Sequence, residues 1–286
     1  MSAREASVSK GMAVAPSGTC YLVNKMAKQD ETIELKSVRE IQAMRDAGRI
    51  VAETFARLGE AIRPGVILRD LDRLATEYLK SQGAQPLYKG YRGNPPNHPP
   101  FPGVICASVN DEICHGIPNK RVLAEGDIVA IDIGLRYKSF CGDSCVTYAV
   151  GTISPEVQLL LKVTEECLYK GIAAAQLGHR LSDIGAAIQA HAESHGYSVV
   201  REWGGHGIGR NLHEPPSVMH YGPAGRGPWL RVGMVFTIEP MINAGRSEWK
   251  MLKDGWTVIT ADGALSAQFE HTIAITDHGP EVLSRL

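Results

Sequence analysis

The sequence predicts one domain of mixed helices and strands, built from two similar halves, and three observations support this prediction. Stretches with helical periodicity alternate along the chain with short apolar stretches typical of strands. A helix motif and a strand motif each occur twice, at similar offsets. The chain has 286 residues, of which 44% are apolar and 21% charged, and is therefore long enough to bury a large core.

The composition argues against several classes of protein. Thirty basic and 31 acidic residues give a net charge of −1, which argues against a general nucleic-acid binder. No stretch approaches the apolar length of a membrane span. The six cysteines form no C-x-x-C pair and the N-terminus lacks the pattern of a signal peptide, so we expect a reduced, cytoplasmic protein.

The beginning of the chain differs from the remainder. Residues 1–37 are rich in Ser, Ala and Lys and show no sustained period. They form either a loosely ordered or flexible tail or a docking arm for a partner, and both alternatives remain open. We therefore expect an N-terminal extension over residues 1–37 and a folded domain over residues 38–286.

The first predicted helix follows this extension. Ser37 and Glu40 have the spacing of a capping box, and Val38, Ile41 and later apolar residues recur every three or four positions, until Pro64 interrupts the pattern. The other predicted elements are a helix over 68–81, a proline-rich loop over 86–103, strands over 104–109, 127–133 and 145–150, helices within 155–195, and strands with glycine-rich turns from 197 onward.

Two segments recur further along the chain. The helix motif at 65–83 recurs 113 residues later at 178–196, and the strand motif at 123–132 recurs 107 residues later at 230–239. Because both recur in the same order, we interpret them as two duplicated halves of one domain, with coincidence as the alternative.

Four carboxylates lie next to apolar strand segments. Asp132 and Glu239 close the two repeated strands, while Asp143 and Glu270 each precede a further predicted strand. A single carboxylate at a strand end normally faces water, but a buried one is costly unless it is paired. Four carboxylates at equivalent ends of two halves predict a shared cation site.

His206 completes this candidate set. It lies in the segment Gly-Gly-His-Gly-Ile-Gly, where the glycines allow the backbone to approach closely. Four carboxylates and one imidazole, with no thiolate, suit Mn, Fe, Co, Zn or Mg better than they suit a structural zinc site. Four negative charges balance two divalent ions, which favours a dinuclear centre.

Two further histidines lie in turns near these segments. His115 precedes the first carboxylate strand, and His213 follows His206 by seven positions. A neutral imidazole near a bound substrate can donate to a carbonyl oxygen or contact a scissile amide. The alternative for each is a histidine on a surface loop.

Five motifs resemble those of type I methionine aminopeptidases. They are V-N-D-E-I-C-H-G-I-P at 109–118, D-I-V-A-I-D at 127–132, G-H-G-I-G at 205–209, F-T-I-E-P-M at 236–241 and S-A-Q-F-E-H-T at 266–272. The resemblance covers residues 38–286. It implies the α+β pita-bread fold, in which helices back a curved antiparallel sheet with an internal pseudo-two-fold axis.

The resemblance also implies a role for each candidate residue. The matched ligands of two divalent metal ions (Co, Mn, Fe or Zn) are Asp132, Asp143, His206, Glu239 and Glu270, with Asp143 and Glu270 bridging. The matched catalytic residues are Glu239 as proton shuttle, His115 at the scissile nitrogen and His213 at the oxyanion. The matched substrate pocket comprises Cys106, Phe101, Trp256 and Leu212, where Leu212 replaces the aromatic residue usual before the second histidine.

The activity implied by the resemblance is removal of the initiator methionine from nascent chains whose next residue is small. The gap of 33 positions between His206 and Glu239 favours type I, because type II enzymes insert a helical subdomain there. We expect a monomer that acts on the N-terminal Met of nascent polypeptides, in association with the ribosome, without a membrane or a specific nucleic acid. The alternatives are a proline-specific aminopeptidase of the same fold and a catalytically inactive pita-bread binding protein.

Overall fold

The computed structural model describes residues 32–93 and 99–286. Residues 1–31, which are most of the predicted N-terminal extension, and residues 94–98 lie outside this part. The helices of the described part are α1 (Val38–Ala61), α2 (Leu68–Ser81), α3 (Pro155–Ala174) and α4 (Leu181–Ser194). Its strands are β1 (Gln85–Pro86), β2 (Cys106–Val109), β3 (Glu112–Cys114), β4 (Ile128–Tyr137), β5 (Phe140–Ala149), β6 (Ser198–Val199), β7 (Gly205–Gly207), β8 (Glu214–Val218), β9 (Val235–Ile238), β10 (Met241–Asn243), β11 (Trp249–Met251), β12 (Val258–Thr260), β13 (Ser266–Gln268), β14 (Glu270–Thr276) and β15 (Gly279–Val282).

Helix α1 begins where the capping box predicts. The Ser37 side chain accepts from the Glu40 amide, and the Glu40 carboxylate accepts from the Ser37 amide. Ile41 and Met44 are buried, as their spacing predicts. The prediction was wrong for Val38, which is 86% exposed because the buried face of α1 begins only at Ile41.

The strands pair antiparallel throughout the described part of the chain. The largest sheet has nine strands in the order β1-β4-β5-β14-β9-β7-β8, with β2 also pairing with β4 and β15 with β14. Two three-stranded sheets, β13-β10-β6 and β11-β12-β3, complete the architecture. Of the described helices, none has the length and apolar character needed to cross a bilayer.

The predicted duplication is confirmed by repeated backbone contacts. Helices α2 and α4 have equal lengths of 14 residues, and their ends differ by the offset of the sequence repeat. Ile67 forms an antiparallel bridge with Val122, and the equivalent residues Arg180 and Trp229 form the same bridge in the second half. The two halves therefore join the start of each of these helices to the segment before its carboxylate strand in the same way.

Each half has its own apolar core. In the first half, Leu58 of α1 and Leu79 of α2 pack with Ile131 of β4. In the second half, Ile188 of α4 packs with Phe236 of β9. All five side chains are fully buried, and each such burial stabilises the fold by roughly 1.5–3 kcal/mol. The helices thus cover one face of the main sheet and leave the other for polar residues.

The predicted positions of two carboxylates were wrong in one respect. Asp132 does not close a strand and Asp143 does not precede one, because β4 and β5 are ten-residue partners that continue past both residues. The hairpin turns at Lys138 and Ser139, which have φ angles of 46° and 74°. Asp132 and Asp143 interrupt the apolar pattern in the sequence, but the backbone hydrogen bonds between β4 and β5 continue past both residues. Glu239 does follow β9, and Glu270 is the first residue of β14.

Candidate metal centre

A row of paired residues crosses four strands of the main sheet. Cys106 pairs with Asp132, Asp132 with Cys145, and Cys145 with Glu270. Residues that are directly paired across strands point to the same face, so these side chains share one surface. Asp143 is two residues before Cys145 on β5 and therefore joins the same face. Sheet register alone brings three of the four carboxylates together.

His206 and Glu239 extend this group from the neighbouring strands. A side chain at Gly205 would collide with the carbonyl oxygen of Thr237, and one at Gly207 would collide with that of Pro215. The glycines therefore allow β7 to pack tightly, as their pattern predicts. The Nε2 atom of His206 lies 3.6 Å from Oδ2 of Asp143 and 3.7 Å from Oε1 of Glu239.

Hydrogen bonds orient the His206 ring. Its Nδ1 atom lies 3.0 Å from the carbonyl oxygen of Gly207, which can only accept, so Nδ1 carries the proton. The Nε2 lone pair then points toward the carboxylates. This arrangement, in which the outer ring nitrogen donates to a carbonyl, is the usual one for a metal-binding histidine.

Neutral groups hold the Glu239 carboxylate. The Thr237 hydroxyl donates to Oε1 at 2.8 Å, and the Gln268 amide donates to Oε2 at 3.4 Å. The Glu239 backbone amide donates to Nε2 of His220 at 3.1 Å. Burial lowers the pKa of His220 to about 3, so this imidazole is a neutral acceptor. Thr237 and Gln268 lie inside two of the quoted motifs, which was the signal that could have identified them as partners of Glu239, whereas no motif includes His220.

Burial disfavours the charged form of every carboxylate in the group. It raises the pKa of Asp132 to about 7 and that of Glu239 to about 8. The pKa values of Asp143 and Glu270 are also raised, first by burial and then by the neighbouring carboxylates. Four carboxylates this close cannot all ionise without a compensating positive charge.

The donor set fits divalent metal ions. One ligand atom each from Asp143, His206 and Glu270 lies within 4.8 Å of the others. Oε1 of Glu270 is buried and accepts no hydrogen bond from the described residues, although a buried carboxylate oxygen normally finds a partner. Carboxylates with one imidazole are ligands that Mn, Fe, Co and Zn accept.

Of the two predicted catalytic histidines, His213 lies beside His206 and His115 lies beside Trp256. The His213 ring is 4.3 Å from the His206 ring, measured between centroids. His115 has a φ angle of 57°, which is uncommon for a residue other than glycine, and its ring lies 6.4 Å from Trp256. Strained backbone of this kind clusters at functional sites.

An apolar cluster borders the carboxylates on the β2 side. Phe101, Cys106 and Trp256 pack together, with the Phe101 and Trp256 rings 5.3 Å apart and nearly perpendicular. Leu212 packs elsewhere, with Ile208 and other residues near α1. Tyr88 packs against this group as well as against the Phe101 cluster, and the position of Leu212 in the pocket stays a prediction.

Two tyrosines of the proline-rich loop also reach the site. The Tyr88 ring packs against the Phe101 cluster. The Tyr91 ring lies 6.0 Å from His213 and 6.2 Å from Trp256. From the sequence, neither tyrosine could be assigned to the pocket, because the loop before Phe101 is longer and richer in proline than is usual in the family.

Taken together, the sheet, its backing helices and the buried carboxylate–imidazole group define a metal-dependent hydrolase of the pita-bread type. Residues 42–277 match the profile of the metallopeptidase family M24. The chain belongs to this family.

Its relatives narrow the assignment within the family. Methionine aminopeptidase 1 of Bacillus subtilis is 52% identical over 251 residues, covering 88% of this chain and 98% of the relative. Methionine aminopeptidase A of Synechocystis is 50% identical over 255 residues, covering 89% and 98%. The crystal structure of methionine aminopeptidase from Rickettsia prowazekii superposes with a TM-score of 0.85 at 42% identity, covering 88% of this chain and all of that one.

A proline-specific peptidase of the same fold is less similar. The Xaa-Pro dipeptidase from Bacillus anthracis has a TM-score of 0.68 at 23% identity and covers 88% of this chain but 62% of the dipeptidase. That likeness shows the fold alone. Residues 207–238 contain strands and turns without a helix, as expected for a type I chain.

Proposed function

We propose that this chain removes the initiator methionine from nascent polypeptides. The observation that carries the proposal is the direct pairing of Cys106 with Asp132 across β2 and β4. It makes the apolar cluster of Phe101, Cys106 and Trp256 continuous with the carboxylates. A thioether suits a pocket of aromatic and thiol groups, because sulfur makes favourable contacts with rings. A methionine side chain held there would leave its carbonyl group beside the candidate metal ligands.

The metal ligands in this proposal are Asp132, Asp143, His206, Glu239 and Glu270. Two divalent ions held by them would polarise the scissile carbonyl and lower the pKa of a water molecule. Their number and their identity, among Co, Mn, Fe and Zn, are part of the proposal. The charge of the four carboxylates supports two ions.

The chain's own residues would move the protons. Glu239 would accept a proton from the attacking water and pass it on, because its carboxylate lies beside His206 and the other candidate ligands. Thr237 and Gln268 keep its oxygens in place for that transfer. His213, beside His206, would donate a hydrogen bond to the oxyanion, and His115 would contact the scissile nitrogen.

The proposal extends to the substrate and its setting. We infer a preference for a small residue after methionine, which the Tyr91 ring near His213 supports by narrowing the site. The five cysteines in the described part are unpaired thiols, which supports a reducing compartment such as the cytoplasm. We also propose that the protein acts as a monomer, on chains that emerge from the ribosome.

A kinetic comparison tests this function. Purified protein supplied with Mn, Co or Fe should release methionine from Met-Ala-x peptides and much less from Met-Lys-x peptides. Parallel assays with x-Pro peptides test the proline-specific alternative, which no observation favours. If no metal supports release from Met-Ala-x, the proposed function is wrong.

A further inference from the structure

A second group of potential metal ligands lies on the helical layer, outside the candidate metal centre. It consists of Glu166 on α3 with His191 on α4 and His195 at the C-cap of α4. One ligand atom from each residue lies within 4.8 Å of the other two. We propose that these three residues form a peripheral zinc-binding site that joins α3 to α4.

Helix geometry brings the two imidazoles together. His191 and His195 are four residues apart, so they lie on the same helix face, one turn from each other. Their ring centroids are 4.7 Å apart. Both lie at the C-terminal end of α4, where the helix dipole favours a cation. Two imidazoles and one carboxylate are a ligand set typical of zinc, with water in the fourth position.

A hydrogen bond at the end of α4 fixes the tautomer of His195. Its Nδ1 atom lies 3.0 Å from the carbonyl oxygen of His191, so Nδ1 donates the proton. Nε2 is then the nitrogen available for coordination. The Ser194 hydroxyl donates to the same carbonyl at 2.7 Å and helps to fix this end of the helix. Such outer hydrogen bonds set the tautomer of metal-binding histidines.

The carboxylate lies close to its required position. Oε2 of Glu166 is 2.8 Å from Nε2 of His191, and zinc–ligand bonds of about 2.0–2.2 Å would need the two atoms roughly 3–3.5 Å apart. A small side-chain movement is enough. Lys162 competes weakly for this carboxylate, since its Nζ lies 3.9 Å away in a largely exposed pair. The His191 side chain is 15% exposed, so it is both accessible and held by its neighbours.

Zinc stoichiometry separates this site from the candidate metal centre. Equilibrium dialysis of the full chain against Zn²⁺, followed by elemental analysis, should give one more tightly held equivalent for the wild type than for the double variant His191→Gln/His195→Gln. The control His278→Gln removes an imidazole that is 92% exposed and away from both sites, and should keep the wild-type stoichiometry. Far-UV circular dichroism checks that each variant is folded.

Equal zinc stoichiometry in the wild type and the double variant would overturn the proposal, as would an extra equivalent bound only at millimolar zinc. Should the double variant fail to fold, His195→Gln at the exposed helix end provides the same comparison. A copper-substituted sample adds an independent readout. Its electron paramagnetic resonance spectrum should show coupling to two nitrogens that the variant loses, whereas the candidate metal centre has one imidazole, that of His206.

Discussion

The phenolic oxygen of Tyr88 lies 2.5 Å from Oδ1 of Asp132. It is also 2.7 Å from Oδ1 of Asp143, so one hydroxyl proton is shared by two carboxylates that are candidate metal ligands. The hydrogen bond lowers the pKa of Asp132, against the larger effect of burial. A pocket residue therefore acts on the charge of the ligands as well as on the shape of the site.

Replacing Tyr88 with phenylalanine should weaken metal binding while preserving the ring that packs in the pocket. Loss of a supporting hydrogen bond to a ligand typically costs about 10- to 100-fold in metal affinity. Titration calorimetry with Mn²⁺ at pH 7 measures the effect. Tyr148→Phe is the matched control, because its hydroxyl donates to the Phe55 carbonyl on the helical side. An unchanged affinity in Tyr88→Phe would contradict this role.

The raised carboxyl pKa values predict how stability depends on pH. In the folded, metal-stripped protein the pKa values of Asp132 and Glu239 are about 7 and 8, whereas in the unfolded chain both are near 4. Between pH 4 and 8 the folded protein therefore binds more protons than the unfolded chain does. Its free energy of unfolding should therefore fall as pH rises from 6 to 8, by about 3–4 kcal/mol for these two groups. Urea unfolding after chelation measures this. Saturating divalent metal should remove the decline, and a stripped protein that gains stability over this range would refute the electrostatic account.

His206 and His213 are neighbours for which we predict opposite effects on metal binding. His206→Ala should lose metal uptake in calorimetry, because it removes the imidazole whose Nε2 lies 3.6 Å from Asp143 and 3.7 Å from Glu239. His213→Ala should keep metal uptake but lose about 10²- to 10³-fold in kcat, the usual cost of removing one oxyanion donor. Normal metal uptake by His206→Ala would disprove its assignment as a ligand.

Tyr91 should control which residue is accepted after methionine. Its ring is 6.0 Å from that of His213, and 42% of the residue is exposed, so it forms the outer wall of the site. Tyr91→Ala should raise kcat/KM for Met-Val-x relative to Met-Ala-x by several-fold, since the wall is removed. Tyr169→Ala, with a similar exposure of 49%, is the control. A ratio that does not change in Tyr91→Ala would exclude this role.

A buried ion pair holds the segment that carries His213. Nζ of Lys36 lies 2.7 Å from Oε2 of Glu214, and the Lys36 side chain is 1% exposed. Lys36→Met would leave the Glu214 charge buried without its partner, and should lower the free energy of unfolding by about 3–5 kcal/mol. Lys138→Met, at an exposed pair 4.0 Å long, should change it by less than about 0.5 kcal/mol. Chemical denaturation of the two variants distinguishes these outcomes.

The sequence correctly predicted those helix bounds that are determined by neighbouring residues. The bounds of α2 follow from apolar spacing and Gly83, and the start of α1 follows from its capping box, as the structure confirms. The duplication was also visible, because its offsets preserve glycines at turns. The helix bounds depend on residues close in sequence, and the duplication is visible as a repeat of such local patterns.

Features that depend on pairing between distant segments were harder to predict. Asp132 and Asp143 lie inside strands because hydrogen bonds across the β4–β5 hairpin continue past both polar residues. Leu212 packs near α1 and Tyr91 packs beside His213 because the loops that carry them contact residues distant in sequence. One-dimensional periodicity carries no information on these contacts.

The matching bridges Ile67–Val122 and Arg180–Trp229 show that the two halves are built alike. Asp132 and Asp143 come from the first half, and Glu239 and Glu270 from the second. Neither half contains a complete centre. Folding therefore brings the negatively charged carboxylates of the two halves close together at the interface between the halves. A cation bound at this interface would be held by ligands from both halves and would stabilise their association. Metal would then bind only after both halves have folded and associated. Folding of the whole domain would in this way be a condition for activity.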